Sequence, residues 1–295
     1  MIFRIILGVY LTFHFLDLLP YAEELFGNQM PYDHTLSPLY GVFPNILNYN
    51  INATIFVGVL TLLSILLTLE FMPKLCAFLL WYGWACLFNK NILISNPGLP
   101  YVGWILLSLT LVVQDKNNNI FQTNNWFLKY IQHDKLHNRI FYTGFILLSL
   151  GYTVSGIHKY FTSPSWSDGT ALEHILCSPI ANNNIIRDTL LQYPFMLKLM
   201  TWLALFLEIS FFPIGSMYHM RMWYWIAYFG FNVGILSLIN FPDLTFGMLM
   251  IHIMTFEMRW VHNFSYYMNS ITECMGLFTG RSALFTGCSD RGKVD

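Results

Sequence analysis

Charge is what this chain has least of. Only 11% of its 295 residues are Asp, Glu, Lys or Arg, against 55% hydrophobic and 18% aromatic, and mean hydropathy is +0.49. A soluble domain usually carries about 25% charged residues, so an ordinary water-soluble fold is excluded. The net charge of −1 removes the electrostatic basis for nucleic acid as a partner. The five cysteines, Cys76, Cys86, Cys177, Cys274 and Cys288, show no CxxC or zinc-ligand spacing. No metal site is expected and no disulfide framework can be argued from them. Cys76 and Cys86 fall inside apolar runs, where a free cysteine behaves as a small hydrophobe. Internal repeats and a soluble domain of convincing length are also missing.

What is present is a series of apolar runs near the ~20 residues that span a bilayer as helix. Eight candidate spans lie at about 2–19, 51–69, 75–88, 98–113, 140–158, 195–214, 222–239 and 242–257. The fold class expected is all-α, a polytopic integral membrane helical bundle. The third, fourth and eighth spans are short, which suits tilted, sheltered or re-entrant helices. The first run carries Arg4, His14 and Asp17 and lacks a small-residue cleavage site, so it reads as a span and not a signal peptide. With the N-terminus in the cytoplasm, eleven of the fifteen basic residues fall on the cytoplasmic side. The other side holds Lys90, Lys159, Arg187 and Lys198. By the positive-inside rule both termini are cytoplasmic, and the Lys159 loop faces the periplasm or a lumen.

Between spans, the first outer loop (about 21–50) has no Lys or Arg and is rich in Pro and Tyr. Ordered irregular structure or a short interfacial helix is expected there. The aromatic-basic stretch within 114–139 suits an amphipathic helix in the interface. Thr170 to Leu176 reads as a short helix with Asp168 or Thr170 as N-cap, and Arg187 to Gln192 as another short piece.

Ionisable residues inside spans need a partner or a cavity. Here they are Arg4, His14, Asp17, Glu208 and His252, with Asn232 polar but uncharged. Arg4 reads as a cytoplasmic anchor. His14 and Asp17 are three apart and share a helix face, so they are expected to satisfy each other. Glu208 fits an interhelical hydrogen bond or a proton-handling role. His252 is expected to be a satisfied core histidine, and Asn232 to join helices.

Lys159 stands apart. It ends an apolar helix on whose face lie Tyr152, Ser155 and Gly156 at 3–4 spacing. A cation there complements the helix dipole and snorkels to water. Alternatively, a dry pocket built by Tyr160, Phe161 and Trp166 tunes the amine into a base. Spacing leaves both readings open.

The stretch GYTVSGIHKYFTSPSWSDGTAL resembles the signature of the horizontally transferred transmembrane (HTTM) family. That family includes the membrane domain of vitamin K-dependent gamma-carboxylase and many shorter bacterial proteins. An aromatic-x-x-small-Gly-x-x-Lys run followed by a loop with Trp and Gly is matched by Tyr152, Ser155, Gly156, Lys159, Trp166 and Gly169. FRIILGVYLTFH, NPGLPYVGWILLSLTLV and TFEMRW are similar to other parts of the family. The resemblance implies an HTTM-like membrane domain over 1–260, with 261–295 as a cytoplasmic tail, surface-associated or disordered. It also implies a base at Lys159, with His158 beside it, acting on a reduced, vitamin K-like quinone. Tyr152, Trp166, Glu208 and Asn232 are then the residues expected at the cofactor.

The chain departs from the carboxylase in having no room for a large lumenal substrate domain. It also carries FNVGI where the family has FHLGI, which puts Asn232 where a histidine is common, and His158 instead of a second lysine. Two functions are therefore expected to compete. One is quinol-dependent carboxylase or oxidoreductase chemistry on a peptide or protein substrate. The other is a non-catalytic maturation or assembly factor, or a lipid-binding subunit, that works with a membrane partner. A bacterial inner membrane is the expected location for either.

Overall fold

The computed structural model of the protein describes residues 2–27, 42–49, 51–111, 135–257 and 260. They are helical almost throughout: α1 (Ile2–Leu18), α2 (Ala22–Phe26), α3 (Ala53–Thr68), α4 (Pro73–Lys90), α5 (Leu99–Leu111), α6 (Lys135–Thr162), α7 (Pro164–Asp168), α8 (Ala171–Cys177), α9 (Ile185–Leu191), α10 (Pro194–Ser210), α11 (Arg221–Leu238) and α12 (Pro242–Met254). No strand occurs among the described residues, only an isolated bridge between Ala181 and Ile239.

Each expected apolar stretch coincides with a helix of 13 residues or more. Three segments, Phe3–Phe26, Ile140–Thr162 and Pro194–Gly215, are long and apolar enough to cross a membrane. Ala53–Thr68, Leu99–Leu111 and Asp243–Met254 are shorter apolar helices. Large apolar side chains such as Phe13, Ile55, Leu62, Val154, Leu203 and Phe206 face outward, the reverse of the pattern on a helix that meets water.

Residues 1–256 form one compact unit and 257–295 a second. The expected tail, 261–295, lies outside the described residues, as do Cys274, Cys288 and the interfacial stretch up to residue 134.

Within the first unit α1 packs on α3, α3 on α4, α4 on α5 and α5 on α12, while α6 packs on α10. Lipid offers no hydrophobic drive between apolar helices, so close contacts rely on small and polar residues. At the α1–α3 seam Gly8 lies under Thr68, and the Thr12 and Ser64 hydroxyls meet at 2.9 Å. Arg4, expected as a cytoplasmic anchor, forms an ion pair. Its guanidinium takes both oxygens of Glu70, at 3.0 and 2.8 Å, in the turn between α3 and α4.

His14 and Asp17 do not pair. Asp17 is exposed, and His14 Nδ1 lies 2.7 Å from Asp243 Oδ1 on α12. The three-residue offset was compatible with contact, but the imidazole points inward and the carboxylate outward. Asp243 follows Pro242 in the first turn of α12, where an acidic group also complements the helix dipole.

The α6–α10 seam is closest at Gly156. A Cβ there would stand 2.7 Å from Glu208 Cβ and 2.9 Å from the Ile209 nitrogen. Three residues earlier, the Thr153 hydroxyl accepts a hydrogen bond from Phe212 N–H (3.0 Å) and donates one to the Glu208 carbonyl (3.1 Å). It stands in for the i→i−4 bond between those two groups. Pro213 has no N–H to give, and α10 runs into a π-helical turn over Phe211–Gly215. A side chain inserted in the ladder and a proline are both recognised causes of such a distortion.

The chain between α6 and α10 folds into a cap. Pro164 opens α7 at a first-turn position that needs no N–H, so the expected loop is a one-turn helix. α8 begins at Ala171 with Thr170 at the N-cap, although no side-chain cap forms. Asn182 and Asn184 side chains donate to the carbonyls of Leu236 and Ser237, satisfying the free end of α11. Backbone bonds from Asn182 to Leu238 and from Asn240 to Ile180 complete this clamp.

Gly156→Val is expected to destabilise the protein by about 1–3 kcal/mol through overpacking. Gly230→Ala on α11, where a Cβ meets nothing within 4 Å, should be neutral or gain up to about 1 kcal/mol of helix propensity. Denaturant unfolding in detergent micelles checks the contrast, and equal losses would contradict the packing account.

Candidate functional site

Because Gly156 lets α6 lie directly on α10, a lysine one turn further along can reach back to Glu208. Lys159 Nζ stands 2.6 Å from Glu208 Oε1 and 2.8 Å from Oε2. Glu208 has a side chain only 3% exposed and Lys159 one 29% exposed. The ammonium also lies over the Trp166 ring, 4.5 Å from its centroid, within cation–π range. The cap supplies that tryptophan from α7. Carboxylate and indole together cover the amine.

This cluster forms one wall of a cavity of about 1050 Å³. Tyr101 of α5, Tyr152 of α6, Leu172 and Ile175 of α8, Ala204 of α10, Asn232 of α11 and Met248 of α12 complete much of the rest. The lining is chiefly apolar with a few polar groups, the usual make-up of a small-molecule pocket, and the volume is at the upper end of such sites.

Asn232 is buried. Its amide donates to Tyr152 Oη at 2.9 Å and to the Tyr228 carbonyl one turn back at 2.8 Å. It therefore joins α11 to α6 as expected, with Tyr152 presented to the cavity. Below, Phe211 stacks on Tyr228 at 4.4 Å between centroids, and the Tyr152 ring packs tilted against Tyr228 at 4.1 Å.

The structure thus places all six residues singled out in the sequence, Tyr152, His158, Lys159, Trp166, Glu208 and Asn232, on the lining of one cavity. His158 makes the loosest contribution. It is exposed, and its Nδ1 meets Thr162 Oγ1 at 3.3 Å. Tyr160 and Phe161 do not build the expected dry pocket. They are 50% and 78% exposed, because residues 160 and 161 turn away from the face that carries 152, 156 and 159. Of the three aromatics expected around Lys159, Trp166 alone covers the amine.

His252 differs from expectation as well. It is fully buried, yet neither ring nitrogen has a hydrogen-bond partner.

Sequence reasoning named Lys159 and Glu208 separately without pairing them, since they lie 49 residues apart with three short helices between them. Thr153 was missed altogether. Its signal is its place three residues before Gly156, on the face that meets α10. Among the described residues no group of three or more His, Cys, Asp or Glu is arranged to hold a metal.

Breaking a buried ion pair strands the remaining charge and costs about 3–5 kcal/mol, while apolar replacement of both partners is often neutral. Lys159→Met and Glu208→Leu are each expected to fall toward the lower end of that range, because Lys159 is partly exposed. The double variant should be more stable than either single one. Chemical unfolding of the four proteins tests this, and additive losses would mean that the pair is not coupled.

Comparison with family models, with curated proteins and with solved structures finds no match to this chain.

Proposed function

We propose that the protein is an integral membrane protein that binds an amphiphile in this cavity, with the Lys159–Glu208 pair as its proton-exchanging end. The observation that carries the reading is a single charged pair set into the wall of a large, chiefly apolar cavity. In this reading the eight helices of 13 residues or more, the shorter ones sheltered by their neighbours, cross a bacterial inner membrane, both termini are cytoplasmic, and Lys159 lies toward the periplasm. The ligand class is a reduced quinone with an isoprenoid tail, in line with the HTTM-like stretch around Lys159. An apolar tail suits the lining from α8, α10 and α12, and a flat hydroxylated ring suits Trp166, Tyr152 and Asn232.

When bound, such a group supplies an ionisable hydroxyl and reducing electrons. The chain's own part is proton handling. As an ammonium, Lys159 has no lone pair and is no base. It becomes one by passing a proton across the 2.6 Å contact to Glu208. The neutral amine can then accept a proton from a bound headgroup and regain its charge. The net acceptor is the Glu208 carboxylate.

A second reading, a lipid-binding or assembly factor without turnover, is favoured by the closed geometry of the pair. Glu208 engages Nζ with both oxygens and Trp166 covers it, which also describes a purely structural tie.

Wild-type protein in lipid nanodiscs is expected to bind a reduced naphthoquinone with a short isoprenoid tail at about one per chain. Ala204→Phe, which fills the cavity, should weaken binding at least tenfold. Lys159→Arg keeps the ion pair but cannot be deprotonated, so it should bind yet fail to take up the headgroup proton. Unchanged binding by Ala204→Phe would remove the cavity assignment. Binding with unchanged proton uptake in Lys159→Arg would favour the structural reading.

A further inference from the structure

One layer beneath the cavity floor lies a set of polar groups that the proposed proton exchange does not yet use. His252 is completely buried with both ring nitrogens unpartnered, and Tyr228, also buried, has an unpartnered hydroxyl. Their rings are near-parallel, 17° apart in plane and 6.2 Å between centroids, and the Tyr152 ring is also 6.2 Å from His252.

The layer is continuous with the cavity on three helices. Tyr152 lines the cavity and touches Tyr228; Asn232 lines it one turn beyond Tyr228; Met248 lines it one turn before His252. Glu208 lines the same cavity as Tyr152 and Asn232.

Buried polar groups almost always find a protein or water partner. Three such atoms are left over on two rings 6.2 Å apart, and water is the partner that buried polar sites commonly take up. Among the described residues, none of the side chains recorded against the His252 ring carries a charge to neutralise an imidazolium. Phe211 and Trp225 flank the layer, and the Trp225 N–H goes to the His252 backbone carbonyl, not its ring. His252 is therefore neutral at rest, with one nitrogen donating and the other accepting.

We propose that His252 and Tyr228 form a water-bridged proton-exchange station beneath the cavity, serving the Lys159–Glu208 pair. It rests on the proton-handling reading of that pair. A proton on the Glu208 carboxyl passes to a bridging water as that water gives one of its own to the Tyr228 oxygen. The Tyr228 O–H proton goes in turn to the accepting nitrogen of His252, which releases the proton on its other nitrogen to a second water. Each bond formed replaces one broken: tyrosine, histidine and the bridging water end neutral, Glu208 ends as a carboxylate, and the second water carries the proton onward as hydronium. His252 is a positioning and relay residue and touches no ligand.

The test uses full-length, ligand-free protein labelled with ¹⁵N at the histidine rings in lipid bilayers, read by water-edited solid-state NMR. The His252 signal is identified as the one lost in His252→Phe. Magnetisation transfer from water to that ring is expected, and Tyr228→Phe should reduce it at least severalfold. A His252 ring without transfer, with the shifts of nitrogens lacking hydrogen bonds, overturns the station.

The layer's dryness also shows in stability, because apolar replacement of dry orphaned groups stabilises. A raised Tm in both His252→Phe and Tyr228→Phe overturns the proposal, and an unchanged or lowered Tm supports it. Both readouts are taken without amphiphile. A failure of quinone binding with a hydrated His252 therefore counts against the cavity reading alone, and a dry His252 with intact binding counts against the station alone.

Discussion

The structure around the candidate site depends on the contact between Lys159 and Glu208, and that contact depends on Gly156. Remove the side chain at 156 and two helices lie backbone to backbone, so a lysine one turn away spans the remaining distance to a buried carboxylate. Neither charge is stable alone in an apolar setting. Together they cancel, and the pair fixes how α6 sits on α10. The Thr153 hydroxyl, inserted between Glu208 and Phe212, secures the same seam and turns the end of α10 into a π-helical bend. Above the pair, the cap made by α7 to α9 brings Trp166 over the amine and is clamped to α11 through Asn182 and Asn184.

The remaining polar contacts follow the same economy. Arg4 with Glu70, His14 with Asp243 and Asn232 with Tyr152 each tie helices far apart in sequence. Between these ties the interior is aromatic and aliphatic, and outward faces are apolar too. Such a molecule gains its specificity from a few polar pairings and close approaches, because burying apolar surface barely distinguishes protein from lipid. The cavity is lined by residues of α5, α6, α10, α11, α12 and the cap, and the ion pair is the charged part of its wall.

Much of the helical plan was legible in the chain. Apolar runs near 140–158 and 195–214 mark α6 and the segment through α10, and Pro73, Pro164, Pro194 and Pro242 sit at helix starts. The site residues were also legible, since a lysine at a helix end and a glutamate deep in an apolar run are both conspicuous. Their pairing was not, because three-dimensional neighbours 49 residues apart leave no periodic trace. His14 shows the same limit. Asp17 was the nearest carboxylate in sequence, but the true partner is 229 residues away. Tyr160 and Phe161 were misassigned because adjacency to Lys159 in sequence places them about 100° and 200° around the helix from it.

The central claim is that the Lys159–Glu208 cavity, and not the outward apolar surface, is where an amphiphile binds. Photo-crosslinking with an isoprenoid-tailed, hydroxylated aromatic probe in native-like bilayers, followed by mass-spectrometric mapping, tests it most directly. The account predicts adducts concentrated on Tyr152–Lys159 of α6 and Gly230–Asn232 of α11, competed away by excess unlabelled quinol. Adducts confined to outward residues such as Ile55 and Leu62 of α3, indifferent to competitor, would contradict it.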